Sequence, residues 1–252
     1  MNPGTHHLRS HAVRSVPFAA VIAALCLLLA GGSSAATVHE RQFSLNTDGL
    51  RVLRIRADEG ELTITGHRDI AEVRVRATIR VRPSLSDQEF SDFLDAWIHL
   101  TLDRHGRAAE LESTISAMSI ADFGPRIDLA VEMPRELDLI VIDGKGMLKI
   151  SGLHSDVEVT DGSGKLFIKD INGDVIIIDE AGSMEISQIT GDVQIQDRTG
   201  SVSAKKIEGT IFLDKRSGQV IIDGLSGDLV IEAELRSEPE IRNHTGKVIR
   251  LN

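Results

Sequence analysis

The stretch GKLFIKDINGDVIIIDEAGSMEISQITGDVQI, from Gly164 to Ile195, decides the fold. Glycine opens it and returns at Gly173, Gly182 and Gly191, a period of nine. Extended outward, the same phase places glycine at 146, 164, 173, 182, 191, 200, 209, 218 and 227, with Ser155 in the one vacancy. Numbering each unit from its glycine, the third positions run from Leu148 to Leu229 and the fifth from Ile150 to Ile231. All twenty are apolar, Ala204 being the smallest. With 41 % apolar residues in the chain, independent draws would give this with odds on the order of 10⁻⁸. A repeat must be found before secondary structure is assigned, because it decides the architecture.

Apolar residues two apart, mostly β-branched, mark a strand with positions three and five facing one way and two, four and six the other. Glycine then marks a tight corner. The eighth position separates two kinds of unit: Leu153, Ile171, Ile189, Ile207 and Leu225 in one, Gly162, Glu180, Arg198, Arg216 and Glu234 in the other. The reading is one buried corner and one solvated corner, hence a structural period of 18 residues. The expected fold is all-β: a parallel β-solenoid (β-helix) of two short strands per coil, each coil burying its side chains only by stacking on neighbours. At about 4.8 Å per coil, five coils span roughly 24 Å. Right-handed crossovers are the default.

Before the repeat, Leu50 to Ile55, Gly60 to Gly66, Ala71 to Val81 and Asp128 to Met133 also alternate, the last ended by Pro134. Ser86 and Glu89 form a capping box, and Phe90, Phe93, Leu94 and Trp97 follow at helical spacing. One short capping helix is expected near residues 87 to 96, then a hairpin of Ile98–Asp103 and Glu110–Ile115 around His105-Gly106. Open solenoid ends expose unpaired strands and need covering. The helix suits the first end, and Glu238-Pro239-Glu240 breaks the repeat at the other. The expected organisation is a signal peptide (1–36), N-terminal coils with an inserted helix and hairpin (37–136), the regular solenoid (137–235) and a C-terminal cap (236–252).

The signal-peptide reading rests on a polar, mildly basic start (His6, His7, Arg9, His11, Arg14), an apolar run from Val16 to Ala30 and the small residues Gly31 to Ala36. The run is shorter than the roughly 20 residues a membrane span needs, so cleavage after Ala36 and no stable membrane insertion are expected. Leu25 precedes Cys26 where a lipoprotein signal carries a small residue. Cys26 is the only cysteine, so the mature chain has no disulfide and depends on its core.

The runs from Gly164, Gly182 and Gly218, and Gly60-Glu-Leu-Thr-Ile-Thr-Gly66, resemble the bacterial putative-adhesin β-strand-repeat family over most of residues 42 to 235. The resemblance implies a β-solenoid at or outside the cell envelope, periplasmic or on the surface. Its motif is specific for fold and weak for function.

Coils 18 residues apart place Asp143, Asp161, Asp179 and Asp197 in one column, and Asp156, Asp174, Asp192 and Asp228 in another that Thr210 interrupts. Toxin-type nine-residue repeats bind Ca²⁺ between turns. No unit here reads Gly-Gly-x-Gly-x-Asp, so turn capping, with each aspartate bonding its own backbone, is favoured over calcium. No cofactor is expected. Position four is mostly polar, yet Phe167, Ile176, Phe212, Ile221 and Val230 occupy it in places. Phe212 and Val230, 18 apart, form a candidate partner-binding patch; cover by the N-terminal segment, the helix or the C-terminal tail is the favoured alternative.

A formal charge of −10 argues against nucleic acid as partner. With 3 % aromatic residues and no tyrosine, an aromatic sugar groove is not expected. His39, His67, His99, His105, His154 and His244 show no metal-ligand spacing, and there is no Gly-x-Ser-x-Gly elbow. The sequence therefore reads as a non-enzymatic surface that binds a protein or cell-surface component, as an adhesin or envelope scaffold. The alternatives are a periplasmic sensing or regulatory docking module and, third, a carbohydrate-active β-helix.

Overall fold

Alternation drives the chain into strands whose inward residues must find cover on the next coil. In the computed structural model, residues 37–82, 85–116, 124–232 and 237–251 are described; the expected signal peptide, 1–36, lies outside them. In chain order the elements are β1 (Thr37–Asn46), β2 (Val52–His67), β3 (Glu72–Val81), α1 (Asp87–Trp97), β4 (Ile98–His105), β5 (Ala108–Ile115), β6 (Arg126–Pro134), β7 (Asp138–Leu153), β8 (Val157–Asn172), β9 (Val175–Thr190), β10 (Val193–Glu208), β11 (Ile211–Ser217), β12 (Val220–Ser226), β13 (Leu229–Ile231), β14 (Glu240–Arg242) and β15 (Val248–Arg250).

Strands β2 and β7 to β10 are 16 residues long because the ladder continues through a corner, so each carries two legs of a coil. Successive coils pair in parallel with partners 18 apart, as in Val159↔Ile177↔Ile195↔Leu213 on one leg and Leu166↔Met184↔Val202↔Val220 on the other. The result is a β-solenoid of about six turns. Face 1 runs β4-β5-β2-β7-β8-β9-β10-β11-β13-β15 and face 2 runs β1-β3-β6-β2-β7-β8-β9-β10-β12-β14. Between them the third and fifth positions of every unit are buried in one continuous core.

The repeat glycines are required by proximity as well as by conformation. At Gly164, φ is +142°, and a Cβ there would lie 1.8 Å from the Gly146 carbonyl oxygen of the preceding coil. The corner at the seventh position of alternate units uses the left-handed region instead. Gly152 and Gly224 hold it readily, and Asp170, Gln188 and Lys206 hold it at φ 56–58°.

Both corners are closed, which corrects the reading of one solvated corner. Leu153, Ile171, Ile189, Ile207 and Leu225 fill one. The other turns inward one residue earlier than the apolar corner does. Position seven, carrying Asp143, Asp161, Asp179, Asp197 and Lys215, is buried, while position eight faces out. Here the backbone stays extended, so positions three, five and seven share a side; at the apolar corner the left-handed residue at position seven breaks the alternation and turns position eight inward.

At the N-terminal end β3 reverses and pairs antiparallel with β6 and β1, and β4 pairs antiparallel with β5. The described residues before β7 thus supply one complete coil, β2, extended in parallel by β5 on one face and β6 on the other, with β4, β3 and β1 added antiparallel beyond them. Helix α1 packs into this end through Phe90, Phe93 and Leu94. Phe90 stacks on His39 of β1 at 3.7 Å between ring centroids, and the Ser86/Glu89 capping box is formed. At the C-terminal end the register lengthens to 19, as in Ile221↔Glu240 and Leu229↔Val248. Ion pairs Arg242–Glu240 and Arg250–Glu238 place charge on the last coil, a usual means of discouraging edge-to-edge pairing.

Ile195 is 1 % exposed, whereas Gln194, one residue earlier, faces solvent. Ile195→Asp should cost several kcal/mol, beyond the roughly 1.5–3 kcal/mol of lost burial, because it leaves an unpaired charge inside. Gln194→Asp should cost under about 0.5 kcal/mol. Urea unfolding of the two variants checks this; equal losses would refute the assigned phase.

Candidate functional site

Outward residues of face 1 form rows at the coil spacing. From the N-terminal side they read Glu110 and Glu112, Arg54 and Arg56, Ile140 and Ile142, Glu158 and Thr160, Ile176 and Ile178, Gln194 and Gln196, Phe212 and Asp214, then Val230 with Ile249 beyond it. Phe212 and Val230 are direct cross-strand partners, both half-buried. The C-terminal strand does not fold over them: β15 pairs edge to edge with β13 and extends the same face through Ile249. The helix lies at the opposite end of the solenoid, against β4 and β1. Ile142, Ile176 and Ile178 are 48 %, 40 % and 40 % exposed, so the apolar character of this face is greatest between β7 and β9. Of these, Ile142 and Ile178 were missed in the sequence because only position four was inspected, while position six points the same way.

Face 2 is more polar on its outer side. Lys149 pairs with Glu61 at 2.7 Å and Lys205 with Glu185 at 3.1 Å. Over its N-terminal extension Arg74 bonds Glu72 at 2.7 Å, and Arg80 pairs with Asp128. Phe167 and Ile221 lie on this side, half-buried.

The two aspartate columns have different roles. In the exposed one, Asp156 accepts from the Asp174 N–H at 2.9 Å, Asp174 from Asp192 N–H at 2.8 Å and Asp192 from Thr210 N–H at 2.7 Å. Asp228 accepts from the Lys247 N–H at 2.8 Å, and Asp128 repeats the arrangement with the Glu61 N–H at 2.9 Å. The expectation that Asp156, Asp174, Asp192 and Asp228 bond their own turns is overturned, the donors lying 18 or 19 residues away. Each clamps the backbone of an adjoining coil, because the neighbouring N–H at the corner has turned out of the strand ladder and lies within reach.

The second column is interior. Asp143, Asp161, Asp179 and Asp197 are 2–5 % exposed and Lys215 is completely buried, closing the column against Asp197. One oxygen of each aspartate has no hydrogen-bond partner. Burial pushes Asp143 up to about 6, helped by the nearby Asp58 and opposed by the Gly144 N–H. Burial and the charge of Asp143 push Asp161 up to about 6. Asp179, between two aspartates, is pushed up to about 7, again chiefly by burial.

On the solvent side of β4 and β5, His99 approaches Glu112 at 3.0 Å and His105 approaches Glu110 at 3.8 Å. Among the described residues no group of three or more His, Cys, Asp or Glu is arranged to hold a metal ion. No helix among them is long and apolar enough to cross a membrane.

No protein-family model and no curated protein matches this chain. Solved structures similar to it include a putative cell adhesion protein from Clostridium sporogenes, at 10 % identity over 85 % of this chain and 99 % of that one, with a TM-score of 0.34. A putative adhesin from Parabacteroides distasonis is similar at 9 % identity, over 86 % and 98 %, with a TM-score of 0.37. A putative lipid binding protein from the same organism is similar at 11 % identity, over 83 % and 96 %, with a TM-score of 0.29. The fold itself stands on the register and burial described above.

Removing an interstrand clamp should weaken the stack locally. Asp192→Ala leaves the Thr210 N–H without its acceptor and should cost about 1 kcal/mol in urea unfolding, while Asp192→Asn, which keeps an acceptor oxygen, should cost less. Equal stability of all three proteins would show that water replaces the bond fully.

Proposed function

We propose that this chain is an exported, non-enzymatic β-solenoid that presents a rigid binding surface, as an adhesin or cell-envelope scaffold does, and that the surface is the outer side of face 1. The observation that supports this reading is the run of exposed isoleucines, Ile142, Ile176 and Ile178, on the same face as Phe212 and Val230. Their backbones are tied into in-register parallel ladders on both sides, so side-chain positions are set before a partner arrives. Little backbone ordering entropy would be lost on association. Exposed apolar side chains held in fixed rows on a rigid scaffold are a common property of interaction sites. The partner that suits it is a protein or a cell-surface component with a complementary apolar strip.

The test begins with residues 37–252 as a soluble protein, alongside fractionation, surface protease accessibility and crosslinking of the native protein. Ile142→Ser/Ile176→Ser/Ile178→Ser should leave the melting temperature within a few degrees of wild type and reduce binding to cells or matrix at least about tenfold, the loss expected for a few apolar anchors. Phe212→Ser/Val230→Ser should reduce binding at some cost in stability, since both side chains are half-buried. Binding unaltered by both variants would overturn the reading. A protease-protected protein carrying one stoichiometric partner, lost on changing Phe212 and Val230, would replace adhesion with a periplasmic docking module.

A further inference from the structure

The interior aspartate column has no part in the surface proposed above. Asp143, Asp161, Asp179 and Asp197 occupy the same position in four successive coils, so their carboxyl groups stack at about the 4.8 Å coil spacing. Each is at least 95 % buried. The column ends on uncharged neighbours at one side, Ala57 of β2 and the buried Ser113 of β5. At the other it ends on Lys215, whose ammonium group meets Asp197. Four acids therefore share one buried cation. Asp58 is the remaining charged neighbour of Asp143, and its own carboxylate accepts the Ile115 N–H at 2.8 Å. Lys145, Glu180, Arg198 and Arg216 sit at the same corner, but exposed on its solvent side.

Ionised carboxylates cannot bond to one another, and buried unpaired charges are strongly penalised. Asp161 and Asp179 are direct partners on adjacent coils, each with a buried oxygen that no donor meets. Two ionised carboxylates so placed would repel each other without compensation, whereas a proton on one lets it donate to the other. The arrangement thus favours bound protons in the folded column, with the unpartnered oxygens of the four aspartates as positions for O–H···O contacts between coils.

We propose that the Asp143–Asp161–Asp179–Asp197 column is a pH-sensitive clamp, which ties successive coils together through shared protons in mildly acidic surroundings and pushes them apart once those protons are lost. An aspartate in the unfolded chain ionises near 3.8, whereas Asp143, Asp161 and Asp179 hold their protons to about 6, 6 and 7. Between these limits the folded state binds more protons than the unfolded state, so this contribution to stability falls as pH rises. It is fully present below about pH 4, declines through pH 6–7 and is level above. Surface carboxylates held low by partners, such as Glu89 beside Ser86, have the opposite slope, so the column must be isolated by comparison.

The experiment compares melting temperatures of the wild type and Asp161→Asn/Asp179→Asn from pH 4 to 8.5, with a ¹³C carboxyl titration of the wild type by NMR. The wild type should lose at least about 5 °C relative to the variant as pH rises across this range, and two or more aspartate carboxyls should titrate between pH 5.5 and 7.5. Lys215→Met should remain folded at pH 5 and unfold at pH 8, because it leaves Asp197 without its cation. A melting-temperature difference independent of pH, with every aspartate titrating near pH 4, would overturn the proposal. If the double variant does not fold, the wild-type titration decides by itself.

Discussion

Everything in this molecule depends on the in-register parallel ladder between coils 18 residues apart. A single coil has no interior, since its two legs enclose only the inward side chains of that coil. Stacking converts those side chains into a continuous apolar column and pairs every strand N–H and C=O with a neighbour. A one-residue slip would turn valine and isoleucine outward and polar residues inward. The glycine column protects the register further, because the corner backbones approach so closely that a Cβ would meet a carbonyl oxygen of the preceding coil. The two aspartate columns exist because of this stacking, one as a set of clamps on neighbouring N–H groups and one as an interior line of acids.

The same ladder explains why function would reside on a face and not in a cleft. The interior is filled by Val, Ile and Leu from both legs, so the outward residues are what a partner would meet. Chemistry is therefore presented as rows at the coil spacing. Face 1 alternates isoleucine rows with rows of Glu, Thr and Gln, whereas face 2 carries lysine–glutamate pairs. A surface of this kind suits recognition by extended contact. The closures at the two ends differ: the first is built of antiparallel strands and helix α1, and the last is finished with Arg–Glu pairs.

Much of this was legible in the residues from Gly146 to Ile231. Period nine, two-residue alternation and the difference between alternate eighth positions led to two strands per coil and a period of 18, which the register reproduces. The capping box at Ser86 and Glu89 led to a helix that runs Asp87–Trp97. The second corner is closed even though Glu180 and Arg198 at position eight face solvent, because Asp179 and Asp197 at position seven turn inward. Parity through positions three, five and seven places Asp161, Asp179 and Lys215 inside, but it would place Asp170, Gln188 and Lys206 there too, and these are exposed because their left-handed backbone breaks the alternation. The hairpin of β4 and β5 was legible in the turn at His105-Gly106, and the two strands pair antiparallel as expected; the direction of β3 carried no such signal, since alternation is the same in parallel and antiparallel pairs.

The sequence by itself determined the repeat, its corners and which side of each strand is apolar, because these follow from local geometry and solvent exclusion. Tertiary structure alone decided which carboxylates meet. Asp192 reaches the N–H of Thr210, and Asp179 sits between Asp161 and Asp197, only because separate coils come into register. It also decided that four acids share Lys215 as their one buried cation. Charge and burial at a given site depend on neighbours distant in the chain, and no local pattern encodes those distances.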